Sequence, residues 1–202
     1  MFSKLTIEEF LQQASSTTFP SPKGGSLAAL AAACAAALVQ MCARVAAKKQ
    51  QGTTNAQGLT EIERQAEQLK QELNSLISED ALAYLEVIRA YNLPNKTCEE
   101  HKNRAKIISQ KFLMATLTLI IIGKNSQKLL KVIEKMQPQC PASCVGDLHV
   151  ARTFAKAALD SALWGIEANQ PKIAIPQDKQ ELQVQLAALG VDYFTYFDNR
   201  FF

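Results

Sequence analysis

Pro22-Lys23-Gly24-Gly25-Ser26 runs directly into an alanine-rich stretch, Leu27-Ala28-Ala29-Leu30-Ala31-Ala32-Ala33-Cys34 and onward to Ala47. Alanine is the strongest helix former, so Leu27 to Ala47 predicts a helix. Its outline is small on nearly every face, which lets neighbouring helices pack closely around it, the property of a central helix in a bundle. Adjacent glycines ahead of it bring backbone amides within reach of a ligand, and a helix start leaves several N–H groups unpaired with a partial positive charge. A carboxylate or phosphate fits such a place; so does a plain tight turn capped by Ser21 or Ser26. The spacing is that of neither a Walker loop nor a dinucleotide fingerprint.

Outward from this run the periodicity is helical nearly everywhere, without a convincing alternating strand. Thr6 with Glu9 forms a capping box for a first helix through Gln13, and a loop from Ser15 to Gly25 carries two prolines. Beyond the polar loop Gln51 to Gly58, a long helix is expected from Thr60 to about Tyr91, stopped before Leu93-Pro94. Thr97 with Glu100 repeats the capping box and starts a helix that is strongly apolar from Phe112 to Ile122 and is expected to end at Gly123. A short helix Ser126 to Met136, a Pro- and Cys-containing loop Gln137 to Val145, a helix Asp147 to Asn169 and a last helix between Asp178 and Asp198 complete the series. The expected fold is all-α, one domain over residues 1–202, a multi-helix bundle around the alanine-rich helix.

At 202 residues and 48% hydrophobic content, the chain suffices for one substantial core. A net charge of +3, with Lys and Arg scattered among Glu and Asp and no aromatic interleaving, gives no indication of nucleic acid. Lys4, Glu8 and Glu9 interrupt what would be the apolar part of a signal peptide. The longest apolar stretches, Leu27 to Val39 and Phe112 to Gly123, read as too short for a membrane span, so a soluble protein is expected. Five cysteines is an odd number. Cys34 and Cys42 read as small buried hydrophobes within the alanine run, consistent with reduced thiols in a cytoplasmic protein. Cys140, Cys144 and His149 match no common zinc spacing, and no metal is expected. His101, beside Glu99, Glu100 and Lys102, reads as a solvated surface residue.

Two positions break the apolar pattern. On the third helix the buried stripe runs Leu73, Leu76 or Ile77, Asp80, Tyr84, Val87 or Ile88, Tyr91, so Asp80 stands where an apolar side chain belongs. A carboxylate on an inner face must be paired, hydrogen-bonded or protonated, because an isolated buried charge is too costly. Asp80 is therefore either a site residue or one end of an internal hydrogen bond. On the helix Asp147 to Asn169, Ala151, Ala158, Ala162, Gly165 and Asn169 share one face. Small residues there admit either a flat ligand, with Asp147 and Asn169 at its ends, or the close approach of another helix, and Asp147 is also a good N-cap.

Together these residues resemble the cyclodeaminase domain of formiminotransferase-cyclodeaminase and its free-standing relatives, including methenyltetrahydrofolate cyclohydrolases of the serine-cycle type, over almost the whole chain. The family's Pro-Gly-Gly-Gly-Ser opening and Ala-rich helix look like Pro22-Lys23-Gly24-Gly25-Ser26 and the run after it. Its Met-Val-Ala segment leading to Gly-Lys-Lys looks like Met41-Cys42-Ala43 leading to Lys48-Lys49. Its acidic motif and Ala-x-x-Leu-Pro turn are matched by Asp80-Ala81-Leu82-Ala83-Tyr84 and Ala90-Tyr91-Asn92-Leu93-Pro94. Its Ser-Asp helix start and Asn-Val-x-x-Asn element correspond to Gly146-Asp147-Leu148 and Gly165-Ile166-Glu167-Ala168-Asn169. The chain departs from the family at Lys23, Arg44, Gly146 and Gly165.

The resemblance implies folate one-carbon chemistry on a tetrahydrofolate substrate without a metal or redox cofactor. The reaction is either cyclisation of 5-formiminotetrahydrofolate with loss of ammonia or hydrolysis of 5,10-methenyltetrahydrofolate. Under it Asp80 is the expected catalytic carboxylate, Asp147 and Asn169 hold the pterin or amidine nitrogens, and Gly24, Gly25, Ser26 or Lys49 hold the glutamate carboxylate. Gly25 and Lys49 are separated by about 35 Å of helix at 1.5 Å per residue, so both serve one ligand only if a second subunit brings opposite helix ends together. A homodimer is the expected assembly. The competing reading is a non-enzymatic bundle that uses its small-residue faces for self-association or folate binding, with Asp80 fixing the register. The C-terminal Asp192, Tyr193, Phe194, Tyr196 and Phe197 form an aromatic-rich segment suited to covering a pocket or an interface.

Overall fold

The computed structural model describes residues 2–49 and 56–187. Six α-helices account for most of them: α1 Ile7–Ser15, α2 Gly24–Lys49, α3 Ala56–Tyr91, α4 Cys98–Met136, α5 Val145–Asn169 and α6 Pro176–Ala187, and there is no strand among the described residues. Both capping boxes form as their spacing requires: Thr6 and Thr97 each accept the amide N–H of the glutamate three residues on, and Glu9 and Glu100 accept the caps' own N–H groups.

Helices α2, α3, α4 and α5 stand in a ring, each packed on the next, and α5 closes back onto α2. Neighbours run antiparallel. Along α2 and α3, Ser26 meets Asp80 while Arg44 meets Glu63; along α3 and α4, Glu86 meets Lys111 while Glu72 meets Asn125. Most of the residues that α2 turns inward are alanine: Ala29, Ala32, Ala35, Ala36, Ala43 and Ala46 are fully buried, alongside Ser26, Val39 and Cys42. So are Ala155 and Ala162 on α5. Small side chains let α2 touch α4 across the ring as well as its two neighbours. The larger members of the core come from the other helices: Leu59, Leu73, Ile77, Ile122, Leu129, Leu163 and Ile166.

Four features differ from the sequence reading. Gly123 does not end a helix: α4 runs unbroken to Met136, because Ile120, Ile122, Asn125 and Ser126 are all buried around it and this packing outweighs glycine's cost of about 1 kcal/mol. Cys34 is not buried with Cys42: the outer stripe of α2 leaves Leu27, Cys34 and Arg44 exposed, and only Cys42 of the two cysteines is buried. Asp147 is not the N-cap of α5, which starts one turn earlier behind Cys144; it lies in the first turn, where its charge favours the helix dipole. Finally, α2 and α4 are long and apolar enough by length and composition to cross a membrane, unlike the short stretches expected, yet their apolar sides pack against other helices of the bundle.

Helix α1 lies outside the ring with its Phe10 buried, and Phe2 in the turn before it is buried against α3, its N–H donating to Ser78 Oγ at 2.9 Å. Helix α6 is joined to α4 by the buried Ser109 hydroxyl, which donates to Asp178 Oδ2 at 2.8 Å and accepts from the Ala174 and Ile175 amides at 3.1 Å, by a bond from Lys124 to Gln185 at 3.4 Å, and by the buried Leu182. The sequence places the last helix between Asp178 and Asp198; it starts at Pro176, its described part ends at Ala187, and the aromatic segment from Asp192 lies outside the described residues.

Candidate functional site

Where α2 begins, the ring opens into a cleft of about 400 Å³ to which the four bundle helices contribute. Gly24 and Gly25 come from α2, Asp80, Ala81 and Tyr84 from α3, Ala115 and Leu119 from α4, and Gly165, Ala168 and Asn169 from α5. The antiparallel order explains this meeting: the start of α2 and the end of α5 lie at the same end of the ring, beside the C-terminal part of α3.

Among the described residues, Asp80 is the single acid in the cleft wall. It occupies its apolar-stripe position between buried Leu76, Ile77 and Val87, partly withdrawn from solvent. Its carboxylate reaches the first turn of α2, where Ser26 Oγ donates to Oδ2 at 2.8 Å and the Ser26 N–H also donates. That N–H is one of the unpaired donors of a helix start, so Asp80 caps α2 from a neighbouring helix. Burial pushes the Asp80 carboxyl above the usual carboxylate range, and the two Ser26 bonds pull it partly back.

Gly25 exists for this contact. A methyl group there would lie 2.1 Å from Asp80 Oδ1 and 2.7 Å from Leu119 Cδ2, whereas one on Gly24 would meet nothing within 4 Å. Across the cleft, a methyl on Gly165 would lie 2.8 Å from Leu119 Cδ1. Leu119 is thus wedged between two glycines and forms an apolar floor beside the carboxyl. Lys23, at the rim, is turned aside: its ammonium is held by the Ala14 and Ser16 carbonyls at the end of α1 and lies 6.0 Å from the Phe19 ring. It therefore leaves the glycine-lined space open. Phe19 in turn packs on Tyr84, ring centroids 5.5 Å apart and planes inclined at 44°, giving the cleft an aromatic side. Phe19 and Leu119 are not singled out from sequence, and Tyr84 reads there only as a member of the apolar stripe and of the acidic motif; the loop and helix phases that bring the three together are tertiary facts.

Of the residues expected to share a ligand, Gly24, Gly25, Asp80 and Asn169 line the cleft, and Ser26 lies directly behind it, fully buried. Lys49 and Asp147 are at the other end of the bundle. Lys49 ends α2, about 36 Å of helix from Gly25, and Asp147 starts α5, about 33 Å from Asn169. The small-residue face of α5 is likewise divided: Ala151, Ala158 and Ala162 are buried in helix packing, and only its Gly165 to Asn169 end meets the cleft.

At that far end three thiols gather. Cys42 Sγ donates to the Cys144 carbonyl at 3.7 Å, and Cys140 Sγ donates to the Pro141 carbonyl at 3.6 Å. Burial, reinforced by Cys144 and Cys140, pushes the Cys42 thiol up to about 12. Among the described residues no group of three His, Cys, Asp or Glu side chains is arranged to hold a metal ion, and His149 is exposed. His101 is exposed too, 2.7 Å from Asn95 through Nδ1.

The family model for formiminotransferase-cyclodeaminase matches residues 6–188, nearly the whole chain. The chain belongs to this family. A methenyltetrahydrofolate cyclohydrolase of Methylorubrum extorquens is 30% identical over 189 residues, covering 92% of this chain and 90% of that protein. The formimidoyltransferase-cyclodeaminase of Mus musculus is 23% identical over 168 residues; the match covers 83% of this chain and 31% of the mouse protein. Among solved structures, formiminotetrahydrofolate cyclodeaminase from Thermotoga maritima has the same fold, with a TM-score of 0.80 over 96% of this chain and 93% of that one, at 18% identity.

Proposed function

We propose that this member of the formiminotransferase-cyclodeaminase family is a folate one-carbon enzyme that hydrolyses 5,10-methenyltetrahydrofolate to 10-formyltetrahydrofolate, with Asp80 as its general base and acid. The observation that supports this reading most is the lone Asp80 carboxyl, set at the start of α2 in an open, largely apolar cleft and held above its ordinary pKa. A carboxyl raised toward the working pH is a better proton carrier in both directions. The choice of hydrolysis follows the Methylorubrum extorquens cyclohydrolase, which is matched over 90% of its own length.

In this mechanism a water molecule attacks the cationic methenyl carbon. As the O–C bond forms, Asp80 takes one proton from the water, and a neutral tetrahedral adduct results. The C–N5 bond then breaks while Asp80 returns its proton to N5, and the adduct's hydroxyl proton leaves to solvent as the formyl carbonyl forms. Water and the methenyl cation become 10-formyltetrahydrofolate and one proton. Phe19 and Tyr84 offer the face on which a pterin stacks, and Asn169 offers both a donor and an acceptor to it. The Gly24 and Gly25 backbone, with the partial positive charge of the α2 start, suits an anionic group of the ligand.

Lys49 and Asp147 join this site only across subunits. Apolar residues left exposed at i, i+7 spacing on α2, Leu27 and Cys34, and on α4, Met114 and Ile121, support a homodimer as the working assembly. Light scattering on the purified protein tests it, and a strict monomer removes any role for Lys49 and Asp147 in binding.

The decisive experiment follows loss of the methenyltetrahydrofolate absorbance band with wild-type protein, with Asp80→Asn and with buffer, at a pH where spontaneous hydrolysis is slow. Acceleration by the wild type that falls at least a hundredfold in Asp80→Asn is expected, the scale on which acid–base groups act. Equal rates in all three refute the proposal, and turnover of 5-formiminotetrahydrofolate instead would move the reaction to cyclodeamination at the same carboxyl.

A further inference from the structure

Ser26 belongs to the Gly-Gly-Ser element, and its place in the structure gives it a role other than holding a ligand. It is fully buried, it is absent from the cleft wall, and both of its hydrogen-bond donors go to one carboxylate. We propose that Ser26 is the positioning residue of Asp80: it fixes the carboxyl so that Oδ2 stays engaged behind the cleft and Oδ1, lying over the Gly25 backbone, is the oxygen that carries the transferred proton. This rests on the reading of Asp80 as the proton carrier and deepens it.

The geometry leaves little alternative for the carboxyl. Its Oδ1 sits where a Gly25 methyl group would be, and Leu119 closes the adjacent side, so rotation is limited on two flanks while Ser26 holds the third. A hydroxyl that donates to Oδ2 makes that oxygen the poorer site for a proton, which leaves Oδ1 as the better one. The charge environment is simple. Of the residues lining the cleft, the α2 side presents Lys23, whose ammonium is held by the Ala14 and Ser16 carbonyls; α3 presents Tyr84; and α4 and α5 present no titratable group. Burial sets the direction in which Asp80 is shifted, and Ser26 supplies the hydrogen bonds that oppose it and hold the carboxyl in one orientation.

The test compares wild type, Ser26→Ala and Ser26→Cys, which removes the hydroxyl or replaces it with a weaker donor. Expected for Ser26→Ala is a kcat lower by about tenfold, the scale of one hydrogen bond to a charged group, with KM unchanged within twofold. The rising limb of its pH–rate profile moves to higher pH, because one of the two bonds that favour the charged carboxyl is gone, and Ser26→Cys falls between. A carboxyl-carbon NMR titration of Asp80 in the same proteins reads the shift directly and needs no turnover. If wild type turns over through Asp80 but Ser26→Ala shows neither an altered pH profile nor an altered Asp80 titration, Ser26 does not position the carboxyl. A wild type inert on both folates defeats the enzymatic reading instead, and the titration then still decides whether Ser26 controls Asp80. Thermal unfolding of each variant separates a folding defect from either result.

Discussion

Gly25→Ala is the sharpest single perturbation this structure allows, because one methyl group must displace the carboxyl on which the proposed chemistry depends. The new Cβ would lie 2.1 Å from Asp80 Oδ1, 2.6 Å from its Cγ and 2.7 Å from Leu119 Cδ2, whereas ordinary contact begins at 3.4 Å. The carboxyl must therefore retreat by more than 1 Å. Its cheapest path is rotation about its own side chain, which gives up the 2.8 Å bond from Ser26 at a cost of about 1–2 kcal/mol. Crowding of Leu119 adds about 1 kcal/mol, and replacing glycine within a helix returns about 0.5–1 kcal/mol. The net is a destabilisation of about 1–2 kcal/mol, or a fall of roughly 2–8 °C in Tm for a chain of this size. Catalysis suffers more, since a 1 Å misplacement of a reacting group costs on the order of a hundredfold.

Gly24→Ala is the matched control. It sits one residue earlier on the same helix turn, its methyl would meet nothing within 4 Å, and the same loss of glycine entropy stabilises by up to about 1 kcal/mol. Differential scanning fluorimetry and methenyltetrahydrofolate turnover on the two variants give opposite expected signs for Tm and rates differing by about two decades. Indistinguishable Tm values and rates for the pair would refute the close approach of Asp80 to the α2 backbone, and with it the assigned reason for a glycine at position 25.

Three further outcomes follow from other parts of the molecule. The folded state raises the Asp80 pKa, so the carboxyl's contribution to stability is present below its ordinary value of 3.8 and is lost as pH rises through the folded value; the margin by which Asp80→Asn exceeds wild type in denaturant midpoint should widen across that window and then level off, and a margin that narrows would reverse the sign of the shift. Ser109→Ala deletes three hydrogen bonds and leaves the Asp178 carboxylate and two amides unpaired, which costs about 2–3 kcal/mol locally; hydrogen exchange should accelerate over residues 173–187, and unchanged protection there would mean that α6 is held by other contacts. Because burial lifts the Cys42 thiol to about 12, alkylation at neutral pH followed by peptide mapping should label exposed Cys34 and Cys98 long before Cys42, and early labelling of Cys42 would show that this end of the bundle opens readily.

The sequence was legible where one helix carries its own signal. Capping boxes at Thr6 and Thr97 are local, and both formed; the alanine run declared a helix that others could approach; Asp80 stood out because a single carboxylate interrupted an apolar stripe. What was illegible depends on how the helices are placed against one another. Gly123 looked like a terminus because the cost of a glycine is visible in sequence, while the burial of Ile120, Ile122, Asn125 and Ser126 that outweighs it is not. Cys34 and Cys42 are eight residues apart within the same small-residue background, and nothing local says that one faces solvent and the other the core.

The same limit governs the site. A motif aligned along the chain collects Gly25, Lys49, Asp80, Asp147 and Asn169 as equals, but an antiparallel ring sorts them by helix end. Gly25 and Asn169 come together because one starts α2 and the other ends α5, and Asp80 reaches them from the C-terminal part of α3. Lys49 and Asp147 are sent to the opposite end by the same rule. Small residues then serve two purposes that sequence cannot separate. Along most of α5 alanine permits close helix packing, but Gly165 admits Leu119, and Gly25 admits the carboxyl of Asp80. A Gly165→Ala variant distinguishes these roles from those of Gly25. Its methyl would press on Leu119 alone, at 2.8 Å, a flexible side chain that can turn into the open cleft. Substrate binding should therefore weaken as the floor rises, with kcat nearly intact, whereas Gly25→Ala strikes kcat. A Gly165→Ala enzyme that lost kcat at unchanged KM would show that Leu119, rather than Ser26, holds Asp80 in place.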